Sequence, residues 1–134
     1  MTNPRSPEDS PDVEGRRNRL VELSESLPAV EVERAGALHL SMKVRKKIFA
    51  YYAYDHHGDG RIAVLCKAPP GEQAALVAEN PGRYFVPPYV GAKGWIGFRI
   101  DGPRVNWREV KERLLIAHAM TAPNKPTGPR AGRR

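Results

Sequence analysis

Hydrophobic and polar residues alternate most regularly between residues 38 and 45. Four apolar side chains occupy every second position there, and polar side chains fill the positions between them. A period of two is typical of a strand with one buried and one solvated face. The next run, 47–55, is apolar on both faces and rich in aromatic residues, so we expect a central strand paired with the first across a tight turn at Arg45 and Lys46.

Further elements follow from apolar spacing and from Pro and Gly stops. The remaining strand segments are predicted over 61–67, 83–86 and 95–101. Helices are predicted between Ser10 and Pro28, over 72–79, and from Asn106 to Thr121. Asn106 and Glu109 have the spacing of a capping box at the start of the last helix. This order predicts an α+β domain, an antiparallel sheet with helices packed on one face.

The two ends of the chain differ in composition from the middle. Residues 1–11 are polar and contain proline, and residues 123–134 combine Pro and Gly with four basic residues and no acidic one. Such composition predicts disorder, so we expect one domain over 12–122 between two disordered segments. The tail supplies more than half of the formal net charge of +7. The domain itself is only mildly basic, and a polyanionic partner requires its cations to cluster.

Composition also excludes several classes of protein. No apolar run approaches the roughly 18–20 residues of a membrane helix, and the N-terminus has no apolar segment typical of a secretory signal. We therefore expect a cytoplasmic protein without membrane contact, present as a monomer or weak dimer. The single cysteine, Cys66, provides neither an internal disulfide nor a cysteine zinc site. Because it shares a predicted strand face with Ile62 and Val64, we expect it to be buried.

Signatures of catalysis are missing from the chain. It has no phosphate-binding glycine loop, no Gly-x-Ser-x-Gly elbow and no His-Glu-x-x-His pair. The segment DHHGDG, residues 55–60, holds the only cluster of metal-type ligands, but adjacent residues in a tight turn rarely converge on one ion. We interpret it as a loop, and predict a non-enzymatic protein without metal or cofactor.

Five segments recur in the order and spacing of a known family. They are Ser26-Leu27-Pro28, the run KVRKKIFAYY from Lys43, Lys67 followed by Pro69-Pro70, Tyr84 to Tyr89 ahead of Gly94-Trp95-Ile96, and the helix start at Asn106-Trp107. Over about residues 15–125 the chain resembles the MmcQ/YjbR family of small bacterial proteins. The resemblance implies a frataxin-like layout, similar to a double-wing DNA-binding motif, and suggests double-stranded DNA as partner. Relatives usually carry glycine where this chain has Lys46, so a turn needing positive φ would be strained here.

Two groups of residues are candidates for contacting DNA. Lys43, Arg45, Lys46 and Lys47 place four positive charges at a predicted hairpin tip, where they can reach phosphates. The alternative is that a lysine-rich tip only keeps an exposed strand edge soluble. The basic tail would add non-specific affinity.

The second group lies on the strand over 95–101. Trp95 and Arg99 share its face opposite the core, where a ring and a cation can contact a nucleotide. Alternatively, residues 87–90 cover Trp95. A different function also remains open, a domain that binds a protein or small ligand in a pocket lined by the aromatic residues Tyr51, Tyr84, Tyr89 and Trp95.

Overall fold

The structure is a computed structural model that describes residues 12–36, 39–55, 58 and 60–122. The disorder predicted for 1–11 and 123–134 falls outside these residues, as do His56, His57 and Asp59 of the predicted loop. The helices are α1 (Val13–Glu25), α2 (Glu72–Glu79) and α3 (Trp107–Thr121). The strands are β1 (Val30–Arg34), β2 (His39–Val44), β3 (Lys47–Tyr54), β4 (Ile62–Cys66), β5 (Tyr84–Phe85) and β6 (Ile96–Arg99).

The strands form one antiparallel sheet in the order β1-β2-β3-β4-β6-β5. The predicted α+β class and antiparallel sheet are confirmed. In contrast, β1 is absent from the prediction, although Val30 and Val32 alternate with two glutamates across from β2. Because β1 and β5 are the edges, both strands of the β2–β3 hairpin are paired on each side.

One face of the sheet and the three helices enclose the main core. Its largest fully buried side chains come from α1, α3 and four strands or their ends, and include Leu20, Met42, Phe49, Ile62, Val64, Ile96, Phe98, Ile100, Val110 and Leu114. Side chains of α2, Leu76 and Val77, pack against the same cluster. All three helices therefore lie on one face, as the sequence predicts. Cys66 is buried in this core, also as predicted.

A β-bulge at Phe49 determines which side chains of β3 reach the opposite face. Met42 pairs with Ala50, whereas Lys43 pairs with Ile48, so Phe49 is the extra residue of its strand. The Phe49 ring enters the core and meets the His118 ring edge-on, with the centroids 5.4 Å apart. Ile48 and Tyr51, three positions apart, both pack on the face away from the helices.

The predicted helix caps can be compared with the structure only at α3, where the cap is confirmed and the role of Glu109 differs. The predicted start of α1 at Ser10 lies outside the described residues, and Asp12 caps the helix by accepting a hydrogen bond from the Gly15 backbone N–H at 3.2 Å. Asn106 caps α3 as expected, accepting from the Glu109 N–H at 3.2 Å. The carboxylate of Glu109 instead binds Arg83 and the Tyr84 hydroxyl, which fixes α3 to the edge of the sheet.

Candidate nucleic-acid interface

The β2–β3 hairpin carries three adjacent exposed cations at its tip. Arg45 and Lys46 form the turn, and Lys47 pairs with Val44 at the first rung of the ladder. Among the residues that the structure describes, no carboxylate forms an ion pair with any of these three cations. We call Arg45, Lys46 and Lys47 the cationic tip.

The backbone of this turn adopts a conformation that lysine and arginine disfavour. The φ angles of Arg45 and Lys46 are 52° and 71°. A two-residue hairpin turn with both φ angles positive is type I′, which usually contains asparagine or glycine because a Cβ crowds the backbone there. The strain expected from the sequence at Lys46 is therefore present.

Lys43 differs from the cationic tip in its surroundings. Its Nζ lies 2.8 Å from Oε1 of Glu33, and Glu31 is directly across the ladder on β1. The hydrogen bond and charge of Glu33 raise the pKa of Lys43. This cation is therefore balanced by two carboxylates, an arrangement that could not be derived without β1.

The structure favours the covered-ring interpretation of Trp95. Trp95 is only 7% exposed and belongs to a small cluster with Ala53, Ala63 and Leu65 on the face away from the helices. Its ring lies 5.8 Å from that of Tyr51. The side chain is therefore not available to stack on a base.

A hydrogen-bonded loop holds Trp95 in place. The side-chain amide of Gln73 donates to the carbonyl oxygens of Gly91 and Trp95, at 2.8 and 2.7 Å. Gly91 is buried, and a Cβ there would come within 2.6 Å of Val86. The loop over 86–95 is thus fixed against both α2 and the sheet.

Several other cations of the domain are engaged by carboxylates. Arg99 pairs with Asp101 at 3.1 Å, Arg83 with Glu109 at 2.5 Å, and Arg113 with Glu72 at 3.3 Å. Arg99, predicted as a partner of Trp95, thus has an acidic neighbour two positions away. Of the six residues proposed from the sequence, only those of the cationic tip form a cluster without such a neighbour among the described residues.

A groove lies on the sheet face away from the helices. It measures about 230 Å³ and is mainly apolar. Tyr51 and Leu65 line it from the sheet, Pro88, Tyr89 and Val90 from the loop, and His39 from the end of β2. Two members of the predicted aromatic pocket, Tyr51 and Tyr89, therefore meet here, and Trp95 packs against Tyr51.

Tyr84 occupies the other side of the sheet. Its ring contacts Phe98 in the main core and its hydroxyl donates to Oε2 of Glu109. Burial, followed by the hydrogen bond and charge of Glu109, raises the pKa of Tyr84. Its role is to join β5 to α3, and it is not part of the aromatic groove.

Potential metal ligands and the thiol of Cys66 are the remaining groups to consider among the described residues. No group of three or more His, Cys, Asp or Glu side chains among them is placed to hold a metal ion. Burial raises the pKa of the Cys66 thiol to about 12, so the thiolate needed for nucleophilic attack is disfavoured at neutral pH. No helix in the described ranges has the length and apolar character to cross a membrane.

Comparison with known families gives one match. The model of the YjbR family matches residues 25–120, which include the cationic tip, the groove and most of α3. The chain belongs to the YjbR family. Comparisons with curated proteins and with solved structures yield no match. Family membership thus accounts for the fold, whereas the chemistry of this YjbR domain rests on its own side chains.

Proposed function

We propose that this YjbR-family protein is a non-enzymatic module that contacts the phosphates of double-stranded DNA through its cationic tip. The observation that carries the proposal is the contrast between Arg45, Lys46 and Lys47 and the two other cations that the sequence predicts at the interface, Lys43 and Arg99. The tip residues are exposed and form no ion pair among the described residues, whereas Lys43, Arg83, Arg99 and Arg113 each lie beside a carboxylate. Cations of the first kind are those that exchange water and counterions for phosphate.

The position of the tip argues against the alternative role in solubility. Charged residues protect a sheet from aggregation when they lie along an unpaired edge strand. The edge strands here are β1 and β5, and both strands that meet at the cationic tip are interior. All three cations are exposed, two of them lie in a strained turn, and the turn joins two interior strands. Binding therefore explains them better than protection of a sheet edge.

Charge reversal tests the proposal. The full-length triple variant Arg45→Glu, Lys46→Glu, Lys47→Glu is titrated against a fluorescent duplex at low salt, where phosphate contacts are strongest. The matched control reverses the exposed residues Arg104, Arg108 and Lys111 around the start of α3, which changes the net charge equally. Both variants keep the basic tail, so its contribution cancels in the comparison.

Each phosphate contact steepens the fall of log affinity with log salt by roughly 0.9. Losing three contacts therefore makes that slope shallower by about 2.7. When salt rises from about 50 to 200 mM, the weakening of three phosphate contacts lowers the affinity by about 40-fold. We expect the tip variant to lose this salt-dependent affinity and the helix variant to keep most of it. Equal losses in both variants would mean that only net charge matters and would refute the proposal.

A further inference from the structure

We infer that the groove between Tyr51 and Tyr89 receives an unpaired nucleobase, so that the protein binds single-stranded DNA in addition to the duplex. This inference rests on the proposed function and names the base-contacting part of the same interface. The ring of Tyr89 lines this groove. That side chain is 77% exposed, although tyrosine is more commonly at least half covered in folded proteins.

The backbone holds the Tyr89 ring at the groove in an uncommon conformation. Tyr89 has a φ of 64° and a ψ of −72°, and the Val90 N–H donates to the Pro88 carbonyl at 2.7 Å. These values define a γ-turn of the rare, strained kind. Strained residues of this type concentrate at ligand-binding sites, where the surrounding structure fixes them.

The size and lining of the groove fit one planar ring system. Its 230 Å³ is below the roughly 300–1,000 Å³ of pockets that enclose a whole small-molecule ligand. Aliphatic Leu65 and two tyrosine rings provide apolar surface, and His39 and the Tyr51 hydroxyl provide polar atoms. A nucleobase has the matching chemistry, an apolar face for stacking and a polar edge for hydrogen bonds.

The cationic tip identifies the occupant as part of a nucleic acid. The turn residue Lys46 and Tyr51 of β3 are five residues apart with the Phe49 bulge between them, a separation of roughly 13–16 Å along the strand. Four nucleotides span about the same distance even when stacked at about 3.4 Å each. One short segment of single strand can therefore place phosphates at the tip and a base in the groove.

The experiment measures binding of the full-length protein to three labelled probes. They are an oligothymidylate of roughly 16 nucleotides, an abasic strand of the same length and charge, and a duplex of the same length. The variants are Tyr89→Ala, Tyr89→Phe and, as a control, Met120→Ala on α3, another large hydrophobic residue that is exposed, at 45%. The abasic strand tests the inference without changing the protein.

Loss of one base–aromatic contact weakens binding by roughly 5- to 150-fold. We expect a loss of this size for Tyr89→Ala on oligothymidylate, little change on the duplex, and near wild-type affinity for Tyr89→Phe and Met120→Ala. We also expect wild-type protein to bind the abasic strand more weakly than oligothymidylate by a similar factor.

Equal affinity for the abasic and thymidylate strands, or an unchanged affinity of Tyr89→Ala, would overturn the inference. If charge reversal at the tip still weakens duplex binding in that case, the proposed function stands without the groove. If charge reversal at the tip changes the affinity for neither the duplex nor oligothymidylate, the proposed function is refuted, and the inference is refuted with it.

Discussion

Substitution of Lys46 tests directly whether a charged residue in the hairpin turn lowers the stability of the fold. A residue with a Cβ costs roughly 1–2 kcal/mol in the left-handed region, and Lys46 is held there with a φ of 71°. Glycine removes that cost but loses roughly 0.5–1 kcal/mol more through the entropy of the unfolded chain. We therefore expect Lys46→Gly to increase the free energy of unfolding by about 0.5–1 kcal/mol and Tm by about 2–4 °C.

The measurement compares Lys46→Gly with Lys46→Ala by urea and thermal unfolding. Alanine removes the same charge but keeps the Cβ, so the relief of repulsion from Arg45 and Lys47 is common to both variants. We expect Lys46→Ala to remain within about 0.5 kcal/mol of the wild type, as is usual for exposed sites. Both variants lose one phosphate contact and should weaken duplex binding equally. Equal stability of the glycine and alanine variants would show that the turn is not strained.

Two further predictions concern the main core and the sheet face away from the helices. Cys66 has an ordinary thiol pKa of 9.0 and a folded value of about 12, so the folded state binds its proton more tightly and stability falls as pH rises from about 9 to 12. Cys66→Ala should flatten the fall in urea-derived stability over that range, and an unchanged profile would contradict this assignment. Gly97→Ala places a Cβ 2.4 Å from the Phe85 ring and should cost roughly 1–3 kcal/mol. The cost should shrink in the background of Phe85→Ala, and full additivity of the two changes would argue against the clash.

The sequence was sufficient for those parts of the fold in which local pattern and packing agree. Alternation in 38–45, the stops around 72–79 and the cap at Asn106 each correspond to an observed element. Residues 30–34 were missed because this short edge strand contains two exposed glutamates and follows a proline stop. Its pattern, VEVER, alternates over only five residues.

The candidate site was less accessible to sequence reasoning because it depends on contacts between distant segments. Lys43 looks equivalent to Arg45 along the chain, and only β1 brings Glu33 to its Nζ. Trp95 looks exposed by strand alternation, but the loop over 86–95 and Tyr51 cover it. The groove combines residues from β2, β3, β4 and that loop, and no local motif marks this combination.

The central claim is that Arg45, Lys46 and Lys47 contact DNA phosphates. Its most direct test is the slope of log affinity against log salt for duplex binding, measured for the wild type, the tip reversal and the reversal around α3. We predict that the tip reversal lowers the slope by about 2.7 and that the α3 reversal leaves it close to the wild-type value. Three parallel lines, or a loss of slope only in the α3 variant, would contradict the claim.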